Sequence, residues 1–149
     1  MQTLKKKNFA DSITKYRIGS ISKSLTSVGL GLLFERKTIE PNSIVENYVP
    51  YANSKLSKLT IKELASHTSG IRNYSSCLCF PIWEFYNNNQ YNSIKQSVLI
   101  FNNDDLIFEP STDFNYSTYN YTLLSGIIEG ATNLDYLEFM KTNVFEPLN

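Results

Sequence analysis

The sequence of 149 residues predicts a single, mostly helical domain. Two segments, 20–35 and 117–130, carry apolar residues at the spacing of one helix face. A third signal is Thr60 followed three residues later by Glu63, which is the pattern of a capping box at the start of a helix. Few segments favour extended structure, so we expect one or two short strands and no large sheet.

The individual elements follow from the caps and from the apolar positions. The first helix is expected to begin after Gly19 and to bury one face, formed by Leu25, Val28, Gly29, Leu32 and Leu33. The helix at 117–130 has a stronger face, formed by Tyr121, Leu124, Ile127 and Ile128. The other predicted elements are a strand at 15–18, a helical turn at 43–48, a helix at 61–66 ended by Gly70, a helix at 93–101 capped by Ser93, an extended segment at 106–108 and a helix at 134–143 capped by Asn133.

Composition excludes several classes of function. Fourteen basic and fourteen acidic residues give a formal net charge of zero, so no field would attract nucleic acid or a membrane surface. No apolar stretch approaches the roughly 20 residues that cross a bilayer, and no targeting segment is visible, which by itself favours a cytoplasmic location. Cys77 and Cys79 are one residue apart, a spacing unsuited to a disulfide or a zinc site. We therefore expect no metal, nucleotide or other cofactor.

Ser20 and Lys23 form the most informative motif. Ser20 would stand at the N-terminus of the first helix, and Lys23 would lie one turn further on the same face, close enough to exchange a proton with the hydroxyl. The spacing alone is weak evidence, because Ser12 and Lys15 repeat it. The alternative is that Ser20 only caps the helix and that Lys23 is a solvated charge.

Tyr116 is a second candidate. It lies just before the predicted helix at 117–130, where the helix dipole lowers the pKa of a nearby hydroxyl. If Lys23 approached it, Tyr116 could act as a general base toward Ser20 and then as a general acid. The alternative is that Tyr116 is one of ten tyrosines and is packed with its hydroxyl satisfied.

The only histidine, His67, is the third candidate. A catalytic triad would need an acid to orient it, and none is obviously placed to do so. We therefore expect His67 to cap a helix end and to hydrogen-bond a backbone carbonyl. A single histidine also argues against a metal site.

Taken in order, these blocks resemble the serine beta-lactamase-related family, which includes class C beta-lactamases, penicillin-binding DD-peptidases and esterases. The resemblance rests on four segments, which are 16–23, 64–71, 116–118 and 144–148. It implies the helical part of a beta-lactamase/transpeptidase-like α/β fold with most of the central sheet missing. The family's Lys-Thr-Gly or His-x-Gly strand motif does not occur, so the chain is expected to be a partial domain, spanning 1–149.

The resemblance also implies roles for individual residues. Ser20 corresponds to the acylated nucleophile, Lys23 to its lysine partner and Tyr116 to the tyrosine of the family's Tyr-x-Asn motif. Thr118 stands where many members have a substrate-contacting Asn, so the resemblance implies that Thr118 contacts the substrate, without the amide donor that Asn would supply. Two further departures, Arg36 and Ser111, replace glycines that are common in the flanking turns.

Within the family, the segments 66–74, 101–110 and 114–118 are similar to a mitochondrial subfamily of animals. That similarity implies a peptide substrate, control of mitochondrial lipid metabolism, self-assembly and a mitochondrial location. The predicted function is a serine hydrolase that acts on peptides through an acyl-enzyme. The alternatives are an esterase and a catalytically inactive helical fragment that serves as a binding or assembly module.

Overall fold

The structure, a computed structural model, describes residues 10–74 and 91–148. The predictions for Cys77 and Cys79 lie outside these residues. In the described part, helices dominate and the predicted class is confirmed. The elements are helices α1 (Ile21–Glu35), α2 (Ile61–Ala65), α3 (Ile94–Val98), α4 (Thr118–Thr132) and α5 (Tyr136–Met140), with single turns at Val45–Asn47, Leu56–Lys58, Lys141–Phe145 and Glu146–Leu148.

Helix α4 is the centre of the core. Four of its apolar side chains are completely buried, namely Leu123, Leu124, Ile127 and Ile128. Helices α1, α2, α3 and α5 all pack against it. Burial of aliphatic side chains of this size contributes about 2 kcal/mol each to folding. The contacts of α4 with its neighbours are therefore a major part of the stability of the fold.

Helix α1 turns most of the predicted face to the core, since Gly29 and Leu33 are buried and Leu25 and Leu32 are partly buried and packed against it. The buried positions are Thr26, Gly29, Leu30 and Leu33, which recur at helical spacing, whereas Val28 is 51% exposed. The packing at Gly29 is close, because the place its Cβ would occupy lies 3.1 Å from the Phe139 ring. The absence of a side chain there lets α1 approach the end of α5.

The predicted strand at 15–18 is wrong, since these residues form neither a strand nor a helix. The only β pairing within the described ranges is an isolated antiparallel bridge between Ile44 and Thr60. An extended segment becomes a strand only beside a partner that takes up its backbone hydrogen bonds. The segment at 106–108 has one such contact, from the Ile107 N–H to the Gly70 carbonyl at 2.8 Å.

Helix starts were predicted better than helix ends. The capping box of Thr60 and Glu63 is confirmed, and the Ser93 hydroxyl accepts the Gln96 N–H as expected. Asn133 was assigned wrongly as an N-cap. It ends α4 in the left-handed conformation (φ 56°), and Asp135 precedes α5 instead.

The end of α2 also differs from the prediction, because His67, with φ 61°, turns the chain three residues before Gly70. Gly70 is required for another reason. Its φ is 78°, and a Cβ there would lie 2.3 Å from the Phe108 carbonyl oxygen. This close approach holds the 67–73 loop against the segment that leads into α4.

In the ranges 10–74 and 91–148 no helix is long and apolar enough to cross a membrane.

Candidate active site

Ser20 is the residue that precedes α1, yet its side chain does not cap the helix. Its Oγ lies 2.9 Å from the Tyr116 hydroxyl oxygen and 3.3 Å from Lys23 Nζ. A simple N-cap serine would instead accept a backbone N–H of the first turn. The helix start therefore positions Ser20, and its hydroxyl faces an amine and a phenol.

Lys23 joins the site to α4. Its Nζ lies 3.2 Å from Thr118 Oγ1 and 5.0 Å from the centre of the Tyr116 ring. Thr118 is the first residue of α4, and its N–H donates to Asn73 Oδ1 at 3.0 Å. The four predicted residues thus meet at the adjoining starts of two helices. The second Ser-x-x-Lys copy, Ser12 with Lys15, lies in an exposed segment and has no such partners.

The pKa of Tyr116 lies below its ordinary value of 10.0. The largest cause is the hydrogen bond with Ser20, and the hydrogen bond and positive charge of Lys23 add to it. Both interactions stabilise the phenolate. Because Tyr116 is 41% exposed, its hydroxyl is also open to a reactant.

The expected bond between His67 and a backbone carbonyl at a helix end is made by its backbone N–H, which donates to the Leu64 carbonyl at 3.2 Å where α2 ends. The ring makes no such bond in the described residues. Its Nδ1 instead accepts the Ser117 N–H at 3.2 Å, and Asn120 Nδ2 lies 3.1 Å from the same nitrogen. The ring lies against Tyr116, with ring centres 4.6 Å apart. His67 therefore belongs to the shell that surrounds the site.

Sequence reasoning missed the polar residues of this shell. Asn120 is completely buried, and its Oδ1 accepts the Ser69 hydroxyl at 2.7 Å. The Ser117 hydroxyl, also buried, donates to the Arg72 carbonyl at 2.7 Å. The available signal was the density of short polar residues in 66–73 and 115–120. Such residues bind backbone groups locally and favour loops with fixed geometry.

A cavity of about 610 Å³ opens beside the serine. Lys23 is the one charged side chain among its described lining residues. Most of the remaining lining carries hydroxyl groups, among them Ser22, Thr26, Ser97, Thr122 and Tyr136. The cavity therefore suits a polar, uncharged or anionic group.

No cluster of three His, Cys, Asp or Glu side chains that could hold a metal occurs in the residues the structure describes.

Comparison with known proteins places the chain in a family. Residues 5–149 match the family described as Beta-lactamase. The chain is 28% identical to the human serine beta-lactamase-like protein LACTB, mitochondrial, over 91% of this chain and 36% of that protein. It is 30% identical to Protein flp of Staphylococcus aureus, over 99% of this chain and 29% of that protein.

Comparison with solved structures supports the same family. A D-stereospecific amidohydrolase from a Streptomyces species matches with a TM-score of 0.76 and 28% identity, over 89% of this chain and 42% of that one. An octameric penicillin-binding protein homologue from Pyrococcus abyssi matches with a TM-score of 0.73 and 26% identity, over 89% and 31%.

These likenesses define a class, the serine hydrolases of beta-lactamase/transpeptidase-like fold. The chain belongs to the beta-lactamase family. It spans about a third of the length of the curated relatives it matches.

Proposed function

We propose that this chain carries the nucleophile of an acyl-transfer hydrolase. The observation that supports this most directly is the position of Ser20 Oγ, within 3.3 Å of both Lys23 Nζ and the Tyr116 hydroxyl. Tyr116 comes from a point 96 residues further along the chain, so a local sequence effect does not account for the contact. An activated serine needs such a partner within hydrogen-bond reach.

In the proposed mechanism, ionised Tyr116 takes the proton of Ser20 while Oγ attacks the carbonyl carbon of the substrate. Tyr116 then gives this proton to the leaving amine or alcohol as the scissile bond breaks, which leaves an ester on Ser20. A water molecule next loses a proton to Tyr116 and attacks the ester carbonyl. Tyr116 returns this proton to Oγ as the ester bond breaks, which releases the acid and restores Ser20 and ionised Tyr116. Lys23 holds the phenolate by its charge throughout.

The start of α1 supplies a donor for the developing oxyanion. The first three N–H groups of α1 already donate to the carbonyls of residues 18–20, but the helix dipole favours negative charge at this end. In the described residues, the Ser20 N–H has no backbone acceptor. We propose that it donates to the substrate oxygen as the tetrahedral intermediate forms.

Amide hydrolysis is the leading chemistry, and a peptide the leading substrate. The Streptomyces relative is by name an amidohydrolase, which supports an amide over an ester. The hydroxyl-rich lining of the cavity suits the alternating donors and acceptors of a peptide. Ester hydrolysis by the same serine is the second candidate.

A different observation favours a binding or assembly module. Ile21 and Val28 on α1 are 63% and 51% exposed, and Leu137 on α5 is 78% exposed. Ile21 and Val28 are seven residues apart and so share one face of α1, and exposed apolar patches commonly mark a contact surface. A chain whose Ser20 is unreactive although the fold is intact would support this alternative.

The remaining proposals concern the whole protein and rest on relatives. Human and mouse LACTB are mitochondrial by name, which supports a mitochondrial location for this chain. Self-assembly is supported by the octameric archaeal homologue. A part in mitochondrial lipid metabolism stays a prediction from resemblance.

A serine-directed probe tests the proposal. The chain is incubated with a fluorophosphonate or a labelled penicillin, and the adduct is located by mass spectrometry. We expect one adduct, on Ser20, that is lost in Ser20→Ala and kept in Ser12→Ala. The Ser12 variant is a matched control because Ser12 has the same spacing to a lysine. A folded chain that gives no adduct, or an adduct elsewhere, would contradict the proposal.

A further inference from the structure

His67 contacts the segment that carries Tyr116 at three points. Its backbone carbonyl accepts the Asn115 N–H at 3.0 Å, and its Nδ1 accepts the Ser117 N–H at 3.2 Å. Its ring lies against the Tyr116 ring at an interplanar angle of 39°. One residue therefore fixes the backbone on both sides of Tyr116 and supports the side chain between them.

A directed chain of hydrogen bonds sets the protonation state of His67. The Ser69 hydroxyl accepts the Ile71 N–H at 3.1 Å and donates to Asn120 Oδ1 at 2.7 Å. With Oδ1 used as the acceptor, the Asn120 amide turns its NH₂ group toward His67 Nδ1, 3.1 Å away. Two donors then point at Nδ1, so this nitrogen carries no proton, and the neutral ring is protonated at Nε2.

The surroundings of His67 oppose a second proton. Burial lowers the pKa of His67 below its ordinary value of 6.5, and the charge of Lys23 lowers it further. The titratable groups that face the ring are Lys23, Tyr116 and Tyr121. Among the described residues, no carboxylate pairs with it.

We propose that His67 is a positioning residue for Tyr116 and that only its neutral form, protonated at Nε2, holds Tyr116 against Ser20. A proton on Nδ1 would face the Ser117 N–H and the Asn120 amide, which are both donors. The 115–117 segment would then have to move, and the 2.9 Å contact between Tyr116 and Ser20 would be lost. The reactivity of the serine therefore falls in acid as His67 takes up its proton. This inference rests on the proposed role of Tyr116.

The chain offers a matched pair of variants. In His67→Asn, Oδ1 replaces Nδ1 one bond from Cγ and does not titrate, and Asn tolerates the left-handed backbone of this position. His67→Leu has nearly the same size without an acceptor. The two variants differ in the hydrogen bond to Ser117 and also in their tolerance of the left-handed backbone, so circular dichroism and thermal melting check that both are folded.

The test combines magnetic resonance with probe labelling. With ¹⁵N-labelled histidine, the single histidine gives one pair of nitrogen signals, and we expect Nδ1 to be unprotonated at neutral pH. With ¹³Cζ-labelled tyrosine, the Tyr116 signal is identified as the one that is lost in Tyr116→Phe. This signal should shift when His67 titrates. The shift should be absent in His67→Asn. Labelling of Ser20 should be at least about tenfold slower in His67→Leu than in His67→Asn.

The results that would overturn the role of His67 differ from those that would overturn the proposed hydrolase function. A proton on Nδ1 of His67 at neutral pH would overturn the inference, as would Asn and Leu variants with the same Tyr116 signal and the same pH profile. If Ser20 is never labelled, the proposed hydrolase function fails. The two magnetic resonance measurements still decide the role of His67 in that case, since neither requires turnover.

Discussion

The hydroxyl oxygens of Ser20 and Tyr116 lie 2.9 Å apart although 96 residues separate them in the chain. Each is presented at the start of a long helix, Ser20 by α1 and Tyr116 by the residues just before α4. The packing of α1 on α4 therefore determines the contact. The contribution of each hydroxyl group can therefore be measured with substitutions that leave both helices in place.

Removal of the Tyr116 hydroxyl is the most direct change. In Tyr116→Phe we expect labelling of Ser20 by a fluorophosphonate to fall by about 100-fold, because the acceptor of the serine proton is gone. The ring is retained, so its contact with His67 and the melting temperature should change little. Tyr48→Phe is the control, since it removes the same group from a tyrosine packed against the core. Equal labelling of the two variants would show that Tyr116 has no role in proton transfer.

The charge of Lys23 should act on two neighbours at once. In Lys23→Gln the pKa of Tyr116 should rise toward 10.0, because a positive charge no longer favours the phenolate. The pKa of His67 should rise toward 6.5, because a positive charge no longer opposes the imidazolium. Titration of the single histidine and of the Tyr116 signal by magnetic resonance measures both shifts.

Lys37→Gln is the control for that experiment. Lys37 follows the opposite end of α1, which is about 22 Å long, so its charge is screened from the site. Unchanged pKa values in Lys23→Gln, or equal shifts in both variants, would contradict the arrangement of charges described here.

The sequence predicted the local features of the fold well. The capping box of Thr60 and Glu63 and the helix start at Ser20 depend on neighbours within one turn, and both are found. That Lys23, Tyr116 and Thr118 would meet Ser20 could be expected from the resemblance alone, since spacing carries no information across 95 residues.

The features that could not be predicted depend on which surfaces meet in the folded chain. Val28 was included in the buried face of α1 because it is apolar, but it is 51% exposed, and Thr26 and Leu30 are buried in addition to Gly29 and Leu33. The acceptor role of His67 Nδ1 could not be predicted, because it is set by Asn120 and Ser117, some 50 residues away. Such contacts leave no periodic trace in the sequence.

Two glycines provide an internal comparison of packing. A Cβ on Gly130 would lie 2.0 Å from the Tyr48 carbonyl oxygen, a backbone atom that cannot move freely. We expect Gly130→Ala to lower the free energy of unfolding by about 2 kcal/mol. Gly31 in α1 has open space around it, so Gly31→Ala should raise that free energy by about 1 kcal/mol through helix propensity. Urea denaturation measures both, and equal effects would contradict the approach of Tyr48 to α4.

Glu63 links the stability of α2 to pH. Burial alone would raise its pKa, but hydrogen bonds from the Thr60 N–H, the Ser111 hydroxyl and the Thr60 hydroxyl, with the charge of Lys62, outweigh it and bring the pKa below 4.5. A carboxyl group whose pKa is lower in the folded state than in the unfolded state stabilises the fold above pH 4.5. That stabilisation is lost as the pH falls through the folded value.

Two variants separate this charge from the cap. Glu63→Ala removes the capping box and should lower the free energy of unfolding by about 1 kcal/mol at neutral pH. Glu63→Gln keeps an oxygen for the Thr60 N–H but cannot ionise. Its stability deficit relative to the wild-type chain should therefore be present at pH 7 and should shrink as the pH falls below 4.5. Urea denaturation at a series of pH values measures this, and a deficit that is constant from pH 7 to pH 3 would show that the Glu63 carboxylate has no special stabilisation in the folded chain.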